Sequence, residues 1–413
     1  MKNLKSISVL FVIVSFLLSC SNIKQISRYN WSLNYNYNYS IQSPKFVLYN
    51  EENNSNLIYS IDPNIFVYKK DLNDGYNKAK FTISYKIFND FETTKIIDSC
   101  SYFFTDSLYY LSNKKIKGTI NIKNINKDGV ILISVKDNNN NSVCNSIIEN
   151  VKSLKNSFLI YDNENNIVLG DNFKVNQYYK IKSSLRYNNL IVKYYNNDSC
   201  SLALPPFAKE NNKDKETFEA IYEIKMLNDT INFIAQKKGV YCFYNDTINL
   251  FNLNCFADNY YGFDNISSML KPLQYITTND EYWELENKDS VKQNIEKFWS
   301  KIGGDIERTN ILVKKFYNRV EEANMYFTTY KEGWKTDRGM LFLILGTPDI
   351  VYKSSETEVW LYLEDRETQA LRFTFVKTKN KINFTEYNLI RLPIFKGIWF
   401  MSVDKLRKGQ FIE

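Results

Sequence analysis

The chain has 413 residues, 44% of them hydrophobic and 16% aromatic. That is enough apolar material for two or three packed domains and too much for a disordered chain. Only 13 glycines and 7 prolines are present, which excludes collagen-like and proline-rich classes. Histidine is absent. Ser–His and Cys–His catalytic pairs and histidine metal ligands therefore fall away, and with them most familiar hydrolase and zinc chemistry. The net charge of +7 comes from 53 basic and 46 acidic residues without a basic tract, which argues against a nucleic-acid partner.

The N-terminus carries the sharpest address. Lys2 and Lys5 precede an apolar run from Ile7 to Leu18. A helical membrane span needs about 20 apolar residues, so this run is too short and reads as a signal peptide over residues 1–19. Its end, Leu17-Leu18-Ser19-Cys20, resembles a bacterial lipobox. The resemblance implies cleavage before Cys20, lipidation of Cys20 and anchoring in a membrane; the alternative is an ordinary signal peptide with an incidental cysteine. No acidic cluster follows Cys20, which points to the periplasmic side of the outer membrane. Residues 20–43, with the alternating Tyr35, Tyr37 and Tyr39, lack a core pattern of their own and read as a tether, or as an added edge strand.

Of 53 asparagines only six lie beyond residue 300, and that shift places a boundary near residue 257. Between 44 and 152, alternating runs such as Lys80 to Phe88 and Val130 to Val135 are separated by turns at Asn73-Asp74-Gly75 and Lys127-Asp128-Gly129. The pattern predicts an immunoglobulin-like β-sandwich. Residues 153–256 repeat the style, predicting a second one. Asp98-Ser99-Cys100-Ser101 recurs as Asp198-Ser199-Cys200-Ser201. If the units are tandem copies, Cys100–Cys144 and Cys200–Cys242 are equivalent disulfides of an oxidising compartment; otherwise the echo is coincidence among buried thiols.

The period then becomes helical, and residues 257–413 read as an α+β domain. Thr278 and Glu281 are spaced as a capping box, and so are Ser290 and Gln293. Gly303-Gly304 breaks a helix, and Asp305 caps a long one, about 39 Å by rise per residue. Its apolar stripe is Ile306, Val313, Phe316, Tyr317, Val320, Ala323 and Phe327. Glu358–Leu363, Leu371–Val376 and Ile382–Ile390 read as an antiparallel meander.

Between helix and meander lies Gly333-Trp334-Lys335-Thr336-Asp337-Arg338-Gly339. Gly333 suits a positive φ after a helix, and Trp334 a buried anchor. Thr336 suits an N-cap and Asp337 the first helical turn. Gly339 permits close backbone approach, Gly346 ends the segment, and Pro348-Asp349 makes a turn. Met340–Leu345 is helix or buried strand, with the cap favouring helix. Arg319 is a partner for Asp337 if the long helix packs on this turn.

The same residues carry a resemblance. Gly333-Trp334-Lys335-Thr336-Asp337 matches the motif of the GWxTD-domain proteins, with Tyr317, Arg319, Val320, Ala323 and Asn324 upstream and Arg338, Gly339, Gly346, Pro348, Asp349, Trp360 and Tyr362 downstream. The resemblance implies a secreted or lipid-anchored envelope protein with β domains before the signature domain and no established reaction.

The expected function is a lipid-anchored, non-enzymatic interaction or scaffold module, with other envelope proteins as partners and no cofactor, metal or catalytic residue. The two β domains would hold the signature domain away from the membrane. The alternative is an envelope glycan hydrolase or glycan-binding protein in which Asp337, Arg338 and Asp349 converge, with Glu356 and Glu358 nearby in sequence. The 31 tyrosines and 6 tryptophans would suit glycan stacking, although tyrosine also favours strands.

Overall fold

Every second residue of Asn77–Phe88 faces inward: Ala79, Phe81, Ile83, Tyr85 and Ile87 are buried, the period of a half-buried strand. The computed structural model repeats this device throughout residues 44–256. It describes residues 24–410 except 53, 73–74, 108–114, 124–127, 171, 198–199, 210–216, 257–265, 287–289, 364–369, 381 and 383. The signal peptide and Cys20 lie outside the described residues.

In the first unit, Lys45–Asn50, Asn54–Ile61 and Ile116–Lys123 form a three-stranded sheet. In the other sheet, Asn77–Phe88 is flanked by Ile96–Ser107 and by Val130–Asp137, which carries Val143–Ile148; Lys69–Lys70 extends it. Leu57, Ile61 and Ile122 of the small sheet share one core with Phe81, Ile83 and Ile133 of the large one.

The second unit again divides eight strands three and five. Phe158–Tyr161, Tyr178–Ser183 and Thr230–Ile234 form the small sheet. The large one runs Asn172–Lys174, Ile248–Phe256, Gly239–Asn245, Asn189–Tyr195, Ala220–Lys225, and its first pair is parallel. In both units the eighth, seventh, fourth and fifth strands are neighbours in that order.

The shared order does not make the cysteines equivalent. Cys144 lies on the eighth strand of its unit and Cys242 on the seventh of the other. Cys100 opposes Tyr85, and Cys144 opposes Val135 on the far side of the sheet. Three strand spacings of about 4.8 Å separate the two, whereas a disulfide needs Cα atoms within about 7 Å. The expected Cys100–Cys144 bridge is therefore corrected by register. Cys200 and Cys242, the other pair expected to bridge, share a buried cluster with Tyr195, Val240 and Tyr244.

The C-terminal part is α+β. Thr278 and Glu281 form the capping box reciprocally: the Thr278 N–H donates to Glu281 Oε2 at 3.0 Å and the Glu281 N–H to Thr278 Oγ1 at 3.2 Å. Gly304 adopts φ +83° between Val291–Gly303 and the long helix Ile306–Phe327. That helix has 22 residues, about 33 Å, shorter than the expected length of about 39 Å. Thr328 leaves the helical region, and its hydroxyl donates to the Asn324 carbonyl at 2.7 Å. Ile306 is exposed and Leu312 takes the inward position. Met340–Leu345 is helix, within Asp337–Leu345. The meander gains a fourth strand, Ile350–Lys353, ahead of Thr357–Tyr362, Leu371–Lys379 and Thr385–Leu389. A final helix, Phe395–Arg407, packs on it, with Phe395 against Phe373.

Residues 24–42 are not a free tether. Ile26, Trp31 and Tyr35 are buried in the core of the C-terminal domain. The segment runs antiparallel along the outer edge of Ile350–Lys353. The Trp31 N–H donates to the Val351 carbonyl at 2.9 Å, and the Asn30 side chain accepts from the Val351 N–H at 2.9 Å. It also donates to the Asp349 carbonyl at 3.1 Å. The backbone groups of an edge strand are thereby covered. The pattern was missed because three anchors at irregular spacing give no period.

The register argument is checked by thiol mapping. Cys100 is exposed, so it is expected to alkylate in the native protein, and no peptide joining Cys100 to Cys144 is expected in a non-reducing digest.

Candidate functional site

The signature motif seats one turn between two helices. Gly333–Lys335 is a single 3-10 turn. Gly333 does not need a positive φ; it needs the absence of a side chain. A Cβ at Gly333 would collide with the Ala323 carbonyl of the long helix, and one at Gly339 with the Gly333 carbonyl. The turn is thus pressed onto one helix and carries the next on its back. Trp334 is 3% exposed and meets Tyr275 edge to face at 6.2 Å. The Trp334 backbone N–H donates to Asn324 Oδ1 at 3.3 Å.

Thr336 caps Asp337–Leu345. Its hydroxyl accepts from the Gly339 N–H at 3.0 Å and donates to the Gly333 carbonyl at 2.7 Å. Gly346, at φ +80°, closes the helix, with its N–H on the Phe342 carbonyl.

The charged residues of the motif each find a different partner. Lys335 is buried and pairs with Glu332 at 2.8 Å. Asp337 forms a two-pronged ion pair with Arg391 and accepts from the Leu389 N–H at 2.7 Å. Arg319, the partner expected for Asp337, instead donates to the Leu343 and Ile344 carbonyls at 3.4 Å. It lies two turns too far from the N-terminus of the signature helix to reach Asp337, and the C-terminal carbonyls attract a cation. Pro348 is buried, and the Asp349 side chain accepts from the Leu363 N–H at 2.7 Å. Asp337 and Asp349 therefore sit at opposite ends of the signature helix and do not converge.

Arg338 points inward to Glu358, which has no exposed surface. Four groups surround that carboxylate: Trp360 Nε1 at 2.7 Å, the Tyr35 hydroxyl at 2.8 Å, Arg338 at 3.3 Å and Lys353 at 3.8 Å. The Arg338 guanidinium lies 3.5 Å over the Tyr387 ring. Burial alone would raise the Glu358 carboxyl, but Arg338, Lys353 and the two hydrogen bonds hold it below the usual carboxylate range. Burial lowers Lys353 and drives the Tyr35 hydroxyl far up, with Glu358 adding to the latter. Tyr35 is thus a neutral donor to a charged pair.

Sequence reasoning named Glu358 only as a neighbour of the motif and did not see Tyr35, Lys353, Tyr387 or Arg391. One signal was present: alternation puts Glu358 on the same strand face as Trp360 and Tyr362. Tyr35 lies 323 residues from its partner, and nothing local marks it.

A groove of about 840 Å³ opens beside the motif, lined by Pro205, Tyr275, Trp283, Glu286, Trp399 and Phe400 among others. Trp283 is 63% exposed and Phe400 54%. Among the described residues no cluster of acidic or cysteine side chains has the arrangement of a metal site, and no helix is long and apolar enough to cross a membrane.

The long helix, the close-packed turn and the four-stranded meander define an α+β signature domain behind two β units. Residues 239–408 match the family model of the GWxTD domain, so this part of the chain is similar to that domain. The match begins inside the second β unit, at the strand Gly239–Asn245. No curated protein matches the chain.

Four measurements probe this geometry. Trp334→Ala is expected to destabilise by roughly 3–5 kcal/mol and Thr336→Ala by about 1 kcal/mol in chemical denaturation. Gly339→Ala should also destabilise, by about 1–3 kcal/mol from overpacking, although alanine is the better helix former. Arg338→Met or Glu358→Leu alone should cost about 3–5 kcal/mol, and the double variant less than the worse single one, because it leaves no uncompensated buried charge. A depressed Glu358 stabilises the fold above the unfolded glutamate value of about 4.3. That contribution is lost as pH falls from the unfolded value through the native one, so stability should drop more steeply with acid across this window in wild type than in the double variant.

Proposed function

We propose that this is a lipid-anchored, non-enzymatic interaction module of the cell envelope, acting on the periplasmic side of the outer membrane. The observation that carries the reading is the inward pairing of the motif: Lys335, Asp337 and Arg338 each bind another group of the same chain. A reacting group would need to be free and open to substrate, whereas Lys335 and Arg338 are buried and Asp337 is held by Arg391. The two three-plus-five β units are read as immunoglobulin-like spacers that brace the signature domain. Apolar surface supports a docking role: Ile394 is 75% and Met401 60% exposed on and before the final helix, beside Phe400, and contiguous exposed apolar groups mark interaction sites.

A second reading rests on the groove. Trp283 and Phe400 offer flat apolar faces, and Glu286 and Asp404 line the same groove with hydrogen-bond acceptors. Aromatic platforms fringed by acids suit the alternate apolar and hydroxyl faces of a sugar, so the groove is a candidate for glycan binding, with no cleavage implied.

Mass spectrometry of the mature N-terminus is expected to show acylated Cys20; an intact Met1 or cleavage elsewhere ends the anchor reading. Trp334→Ala should lower partner capture only in proportion to lost folded protein. Loss of capture at unchanged melting temperature would make the motif itself the contact. Calorimetric titration with soluble peptidoglycan fragments tests the second reading: binding abolished by Trp283→Ala supports it, and no heat at any concentration excludes it.

A further inference from the structure

The segment that joins the anchor to the body is built into the signature domain, and this fixes which end of the molecule meets the bilayer. Resting on the anchor reading above, we propose that the membrane-facing surface is the end formed by the loop Asp90–Thr93, the turn Ser354–Glu356 and Lys24–Ile26, so that the signature domain sits against the lipid headgroups.

Three observations carry this. First, chain length is short. Only three residues separate Cys20 from Lys24, four Cα steps with a reach of at most about 14 Å when extended. Second, the chain is fixed immediately afterwards. Ile26 is fully buried, the Ser27 N–H donates to the Phe91 carbonyl at 3.0 Å, and the Gln25 side chain donates to the Glu92 carbonyl at 2.5 Å. Glu92 in turn holds Ser355, through its N–H at 3.0 Å and its hydroxyl at 2.7 Å. The first described residues, a loop of the first β unit and a turn of the signature sheet are therefore one surface. Third, the molecule has a long axis to orient. Further along the segment, Tyr35 packs on Phe327, with ring centroids 5.0 Å apart, at the C-terminal end of the long helix. The other end of that helix meets the end of the final helix: Arg308 donates to the Lys408 carbonyl at 2.8 Å. Nineteen residues of helix between Arg308 and Phe327 amount to about 28 Å.

In this orientation the two β units do not lift the signature domain off the membrane. The anchor reaches the signature domain without passing through either unit. In this orientation the Arg308–Lys408 end lies farther from the bilayer than the turn Ser354–Glu356.

The test uses the full-length lipoprotein, purified in detergent and reconstituted into phosphatidylethanolamine–phosphatidylglycerol vesicles that contain a headgroup nitroxide. In a Cys100→Ser, Cys144→Ser background, a fluorophore is placed at Glu356→Cys or Lys408→Cys, both exposed positions. The dye at 356 is expected to be quenched severalfold more than the dye at 408. Inserting twenty Gly/Ser residues after Ser21, a coil of roughly 25 Å root-mean-square length, should bring the two close to equality without touching the fold. Flotation with vesicles is scored in parallel. Protein that does not float overturns the anchor reading and the orientation with it. Protein that floats with equal quenching at both sites, or with more at 408, overturns the orientation alone.

Discussion

A carboxylate with no access to water governs the signature domain. Taking Glu358 out of solvent costs several kcal/mol unless charge and hydrogen bonds replace the water it loses. The replacements come from elements far apart in the chain: Arg338 from the signature helix, Lys353 and Trp360 from the sheet, Tyr35 from the N-terminal segment. The site is complete only when all of them are docked. Such a cluster adds little net stability over an apolar core of the same volume, but it penalises any arrangement that leaves one member unpaired. We read it as the device that specifies how helix, sheet and N-terminal segment fit together.

The close approach of Gly333 and Gly339 makes this arrangement reachable. Without side chains at those two positions the turn lies directly on the long helix and the signature helix starts against the turn. Arg338 then falls one residue into the helix, aimed at the sheet, while Asp337 faces the other way toward Arg391. Trp334 fills the gap beneath the turn, and Thr336 closes the exposed N–H groups of the helix. Each letter of the motif thus has a steric or hydrogen-bonding reason.

The first β unit is joined to this domain rather than hung from it. Phe88, Phe91, Val130 and Leu132 enter the same core as the signature helix, and Lys377 reaches Glu149 at 3.0 Å. The second unit joins through Tyr330 and Ile382 against Tyr195 and Val240. The three parts share apolar contacts at both junctions, so the signature domain is the hub on which the β units and the N-terminal segment converge.

Much of this was legible one residue at a time. The capping box at Thr278 and Glu281, the cap at Asp305, the cap at Thr336 and the burial of Trp334 depend on neighbours within a few positions, and local chemistry is enough to read them. The alternating strands were legible for the same reason. The break of the long helix at Thr328 was not, because the first glycine after the helix is Gly333, five residues further on. Nor was the Asp337 partner, since Arg319 and Arg391 are equally suitable by charge and only packing chooses. The Cys100–Cys144 pairing failed at the level of register: spacing along the chain says nothing about how many strands lie between two cysteines. The anchor of Tyr35 on Glu358 spans 323 residues, and a single tyrosine among 31 carries no mark of it. The sequence by itself determined which segments are helix or strand, where the caps fall and that the motif is a turn. Only the tertiary structure decided which charges meet, because ion pairing is set by distance in space, and a pair excluded from water is selected by the whole fold that excludes it.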